Sequence, residues 1–210
     1  MMSIGSARPY SVEEGRVLVR QARHVVEAVT TSLRFDKRIM QEQLYKFTQR
    51  YGLFVTIEFY PTKVMRGCMG VAQPIVPVGQ LLVEAALAAA AEDPRFVPVS
   101  RHELDSLIFE VSILSEPQEI KARTSASIPR QVKVGRDGLL IKYGYRSGLL
   151  LPDVAVEEGW NAESFLNNVC IKAGLAQHTW KVHDVSLYKF TTQIFREKEP
   201  MGDVEEVILK

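Results

Sequence analysis

The stretch Gly52-Leu53-Phe54-Val55-Thr56-Ile57-Glu58-Phe59-Tyr60-Pro61-Thr62-Lys63-Val64-Met65-Arg66-Gly67-Cys68-Met69-Gly70 decides the fold class. Its first half is rich in β-branched and aromatic residues, which suit a pleated, half-buried surface, so it reads as a strand. Pro61-Thr62-Lys63 is turn chemistry, and Val64 to Met69 then reads as an antiparallel partner.

Upstream, Ser11-x-x-Glu14 is a capping box, and apolar residues from Val12 to Val29 recur at helical spacing, which predicts a helix from Ser11 to Thr30. A second, short helix is expected around Met40 to Tyr51. Downstream, Pro74 and Pro77 punctuate the exit and an apolar helix follows from Val78 to Glu92. Pro94 and Pro98 enclose an extended segment carrying Arg95 and Phe96. Ser100-x-x-Glu103 opens another short helix to Leu107, and Ile108 to Leu114 alternates as a half-buried strand does. Beyond Pro117 the pattern changes. Gly135-Arg136-Asp137-Gly138 lies between Val132–Val134 and Leu139–Tyr143, which predicts a hairpin with its turn at Asp137-Gly138. Asn161 caps a helix that Gly174 ends, and a last strand runs from Val185 to Phe195. Hairpins mixed with helices, without regular βαβ alternation, predict an α+β fold of antiparallel β-sheets flanked by helices. The expected division is a main lobe of about 1–116 plus 156–210, with a smaller β-rich lobe of about 117–155.

The 210 residues carry a net charge of +1, with 46% hydrophobic and 24% charged residues, which fits a folded globular chain. Two distant cysteines, Cys68 and Cys170, indicate neither a disulfide framework nor a structural zinc site and suit a reducing, cytoplasmic setting. No secretory signal is read at the N-terminus, and the most apolar run, Leu81 to Ala91, is far short of the roughly 18 residues of a membrane span. Charge is uneven: residues 117–146 hold seven Lys/Arg against two Asp/Glu. Lys121, Arg123, Arg130, Lys133, Arg136, Lys142 and Arg146 could therefore form a local nucleic-acid patch, although solvated side chains on an exposed hairpin explain them as well.

The chain lacks phosphate-loop, dinucleotide, zincin and nucleophile-elbow signatures. His178 and His183 match no standard metal spacing, so neither a metal nor a cofactor is specified. What remains is the loop Arg66-Gly67-Cys68-Met69-Gly70. Its glycines permit unusual backbone angles and close ligand approach, and an arginine near a thiol favours the thiolate. The bland alternative is a small core cysteine on a bulged strand beside a structural arginine.

Met65-Arg66-Gly67-Cys68-Met69-Gly70 is followed by Asp93-Pro94-Arg95-Phe96-x-Pro98, Glu103-Leu104 and Val111-Ser112-Ile113-Leu114. Further on come Gly138, Leu149-Leu150-Leu151-Pro152-x-Val154-Ala155, Trp160 and Lys172-Ala173-Gly174-Leu175. In order and spacing this series resembles the AMMECR-type family (the AMME chromosomal region protein family) over about Gly52 to Phe195. The family commonly has Leu and Ile where this chain has Met65 and Met69, and a hydroxyl residue where it has Val71. The resemblance implies one AMMECR-type domain over 1–210, a two-lobed α+β fold with a cleft, and no defined reaction. In some prokaryotes relatives accompany a dioxygenase-like protein and a radical-SAM protein, which suggests a shared pathway.

Three function classes follow. An enzyme would use Cys68 as nucleophile or redox thiol, Arg66 or Arg95 to bind an anionic small substrate, and a histidine brought by folding as base. A non-catalytic module would use Gly67, Met69, Gly70, Asp93, Arg95 and Phe96 to hold a ligand or a protein partner. A nucleic-acid binder would act through 117–146.

Overall fold

A computed structural model describes residues 8–31, 43–74, 76–182 and 185–209. The chain divides into two compact units, Arg8–Leu114 with Gln193–Val207, and Ser115–Thr192.

In the larger unit, α1 (Val12–Thr30) opens on the expected box: the Ser11 hydroxyl accepts from the Glu14 amide, and the Glu14 carboxylate accepts from the Ser11 amide. The hairpin forms from β1 (Gly52–Phe59) and β2 (Val64–Val71), paired antiparallel. The apolar helix α2 (Val78–Ala91) follows, then a 3-10 turn (Arg101–Ser106) and β3 (Leu107–Leu114), antiparallel to β1. The short helix expected after Met40 is helical only at Gln43 and Leu44 among its described residues, and the chain from Phe47 to Tyr51 is irregular. The strand order is β2-β1-β3, and β3 neighbours β7 (Ser186–Glu197), whose C-terminal half also pairs with β8 (Val204–Val207). Leu53, Val55, Ile57, Phe109, Val111 and Ile113 turn inward, with Leu18, Val25, Leu82 and Ala86 in the same core. Burying each large apolar side chain contributes about 1.5–3 kcal/mol. The expected half-burial of Ile108–Leu114 is corrected, because every residue of β3 is buried. Alternation separates two faces but does not say that the polar one meets water.

A buried ion pair ties this unit together. Arg23 of α1 donates Nε and Nη2 to the Glu197 carboxylate at 2.7 and 2.6 Å, and donates further to the Leu107 and Leu104 carbonyls. Glu197 also accepts the Phe109 amide at 3.0 Å, so both charges are enclosed by hydrogen bonds, as burial requires.

In the smaller unit the order is β4 (Gln118–Glu119), the N-terminal half of β7, β5 (Asp137–Tyr143) and β6 (Arg146–Leu150). The unit runs to Thr192, past the expected 155, because α3 (Pro152–Glu157) and α4 (Ala162–Lys172) pack on β5 and β6. Leu139, Ile141, Phe165, Val169, Cys170 and Trp180 share its core. Asn161 caps α4 by accepting the Ser164 amide, and Gly174 ends it at φ +68. The hairpin lies elsewhere than expected. Asp137 and Gly138 are strand residues, no strand forms at 132–134, and the reversal falls at Gly144, φ +57. A Cβ on Gly138 would come within 2.4 Å of the Phe190 ring, so that glycine permits packing rather than a turn.

Helix and antiparallel sheet therefore combine in an α+β fold. No helix among the described residues is long and apolar enough to cross a membrane.

Candidate functional site

Arg66 to Gly70, named a loop above although it overlaps the strand expected over Val64 to Met69, lies within β2. Its glycines answer close approach, not unusual backbone angles. A Cβ on Gly67 would stand 2.1 Å from the Ala89 carbonyl oxygen of α2, and one on Gly70 would stand 2.0 Å from the Leu53 carbonyl oxygen. Gly67 is buried toward the helix, and Met69 packs on the same core. Both lie on the face opposite Cys68, as strand alternation requires.

Arg66 sits at a β-bulge. Thr56 and Ile57 pair with Cys68 and Gly67, but Glu58 pairs with Met65, so Arg66 has no partner on β1. The bulge re-aims its guanidinium, which donates to Glu103 at 2.6 and 3.2 Å and to the Pro98 carbonyl at 3.2 Å. The Arg66 side chain is 7% exposed. Its charge therefore serves Glu103, whose carboxyl the Arg66 hydrogen bonds hold down at about 2.

Cys68 meets a different group. Its amide donates to Asp93 Oδ2 at 2.9 Å, and its carbonyl accepts from Arg95 Nη2 at 3.4 Å. Arg95 grips Asp93 through Nε at 2.9 Å and Nη2 at 2.6 Å, and its guanidinium lies 5.3 Å from the Phe96 ring centroid. Asp93 is buried, and the Arg95 hydrogen bonds hold its carboxyl far below the usual range.

The thiol faces a polar row that crosses the sheet: Cys68 stands opposite Thr56, and Thr56 opposite Glu110. The Thr56 hydroxyl donates to Cys68 Sγ at 3.3 Å. Glu110 accepts from Arg196 Nε at 2.6 Å and from the Ser112 hydroxyl at 3.3 Å. Burial pushes the Cys68 thiol up from its ordinary value, and Glu110 and Asp93 push the same way against Thr56 and Arg95. A lowered thiol was expected from Arg66. The cation facing the sulfur is Arg95, and desolvation outweighs it.

The structure thus brings together Cys68, Asp93, Arg95 and Phe96, sends Arg66 to Glu103, and turns Gly67 and Met69 away. Thr56, Glu110, Ser112 and Arg196 escaped the sequence reading. The signal for two of them was the alternation of Glu110 and Ser112 within β3, read there as a solvent face. His24, His102 and His178 are exposed, His183 lies outside the described residues, and the charged neighbours of the thiol are Arg95, Glu110 and Asp93. Cys170 is buried in the second core, whereas His178 is exposed. Among the described residues no three His, Cys, Asp or Glu side chains converge as a metal ion requires.

The family model AMMECR1 matches residues 19–195. Protein MJ0810 of Methanocaldococcus jannaschii is 44% identical over 199 residues, which cover 95% of this chain and 98% of that protein. A protein of Thermofilum pendens is 42% identical over 208 residues, covering 95% and 97%. The crystal structure of Uncharacterized Protein PH0010 from Pyrococcus horikoshii is similar with a TM-score of 0.88 and 40% identity, over 94% of this chain and 98% of that one. These relatives' names specify no reaction, substrate or partner.

Proposed function

The chain belongs to the AMMECR1 family, and from that premise we propose that it is a non-catalytic binding module that receives an anionic group at Arg95. The observation that carries this reading is the exposure of the cation beside Cys68: the Arg95 side chain is 48% exposed while its partner Asp93 is 2% exposed. Its Nε–Nη2 edge is engaged by Asp93, so the fork is already oriented and its Nη1 side is the one a carboxylate or phosphate would meet. Pre-orientation lowers the entropy cost of binding, and the adjacent Asp93 charge keeps the affinity modest. Arg66, buried against Glu103, has no such role, and the raised thiol beside two carboxylates is poorly suited to a nucleophile.

Thermal melts in inorganic phosphate and in succinate, at constant ionic strength, test the reading. A ligand at about ten times its Kd adds about 1.4 kcal/mol, which is roughly 3–6 °C for a chain of this size. Arg95→Lys retains a cation for Asp93 but loses the fork, so it should melt like the parent without ligand and lose the shift. No shift in the parent, or an undiminished shift in Arg95→Lys, overturns the proposal.

A further inference from the structure

The smaller unit carries a second feature that owes nothing to Cys68. The β5–β6 hairpin reverses at Gly144, which takes φ +57, a conformation glycine adopts without strain. The reversal leaves Tyr145 fully exposed and Tyr143 37% exposed. These two tyrosines, with Gly144, Arg146 and Leu175, line an open cavity of about 420 Å³. Small-molecule sites run from about 300 to 1,000 Å³, so the space suits a ligand of nucleotide size.

Of the residues that line this cavity, Arg146 is the charged one. Arg146 Nη1 donates to the Gly174 carbonyl at 2.6 Å, which fixes the guanidinium at the rim. Two solvent-facing tyrosine rings beside a fixed guanidinium match a ligand that is planar at one end and anionic at the other.

We infer that the tip of the β5–β6 hairpin binds a nucleotide unit, its base against Tyr143 and Tyr145 and its phosphate toward Arg146. The unit could be a free nucleotide or part of a single-stranded RNA, and the chemistry recognised is the same. Of the basic residues of 117–146, Arg146 lines this cavity, whereas Lys121 pairs with Glu119 and Arg136 with Asp137.

Fluorescence anisotropy of a labelled single-stranded RNA of about ten nucleotides, a length one small fold can hold, tests the inference with adenosine monophosphate as competitor. The parent should bind, more weakly as salt rises. Tyr145→Ala should weaken binding about ten-fold, the size of one lost base stack. Tyr45→Ala, which removes another exposed ring (76%), should leave it unchanged. Competition by the mononucleotide identifies a free-nucleotide site, and binding of RNA alone identifies a strand site. Absence of binding to both probes, or equal affinity of Tyr145→Ala and Tyr45→Ala, overturns the inference.

Discussion

At Cys68 the backbone and the side chain have separate duties. The amide and carbonyl are held by Asp93 and Arg95, whereas the sulfur of this half-buried residue accepts from Thr56. A thiol raised above its ordinary value by burial carries little thiolate at neutral pH. Iodoacetamide should therefore label Cys68 slowly at pH 7 and speed up only in alkali. Fast labelling at pH 7 would restore the nucleophile reading. Cys68→Ser keeps a group that Thr56 can donate to, so its melt should lie within about 1 kcal/mol of the parent. The sequence made this residue conspicuous but could not disclose its partners, because Thr56 and Glu110 reach it only through strand register. Nor could spacing show that Arg66, two positions away, is displaced by a bulge. Gly138 misled for a related reason: a glycine that makes room for Phe190 looks the same in sequence as one that makes a turn.

Elements were more legible where local chemistry acts alone. The hairpin of β1 and β2, the box at Ser11 and the cap at Asn161 each depend on neighbours within a few residues, and each formed where expected. The box at Ser100 formed too, but its Glu103 has a second duty that sequence does not show. It caps the 3-10 turn and neutralises Arg66. Its carboxyl is lowered to about 2 in the folded chain against about 4.3 unfolded. The stability this adds is complete above the unfolded value and is lost as pH falls from about 4.3 through 2. A Tm profile should therefore drop across that window, and Glu103→Gln should flatten the drop. The same variant leaves Arg66 buried without a counter-charge and should cost about 1–3 kcal/mol at pH 7. An unchanged acid limb in Glu103→Gln would show that other carboxylates set it.

For the whole molecule, two cores with separate membership give a readable division of signals. Trp160 and Trp180 both belong to Ser115–Thr192, so tryptophan fluorescence reports that unit alone, whereas far-ultraviolet circular dichroism reports both. Glu197→Gln removes the buried counter-charge of Arg23 in the larger unit, leaves it Glu27 at 3.6 Å, and should cost about 3 kcal/mol. The circular dichroism transition of that variant should fall ahead of the fluorescence transition, and coincident curves would mean that the two cores melt as one. The edge of the larger unit has a consequence of its own. Among the described strands, β2 ends its sheet, and a terminal strand offers its outward amides and carbonyls as a template to any extended chain. At Cys68 both outward groups are occupied, one by a carboxylate and one by a guanidinium, as a neighbouring strand would occupy them. A second copy arriving edge-on meets a filled rung and a salt bridge it would have to break. The Asp93–Arg95 pair is thereby a guard against cross-β self-assembly.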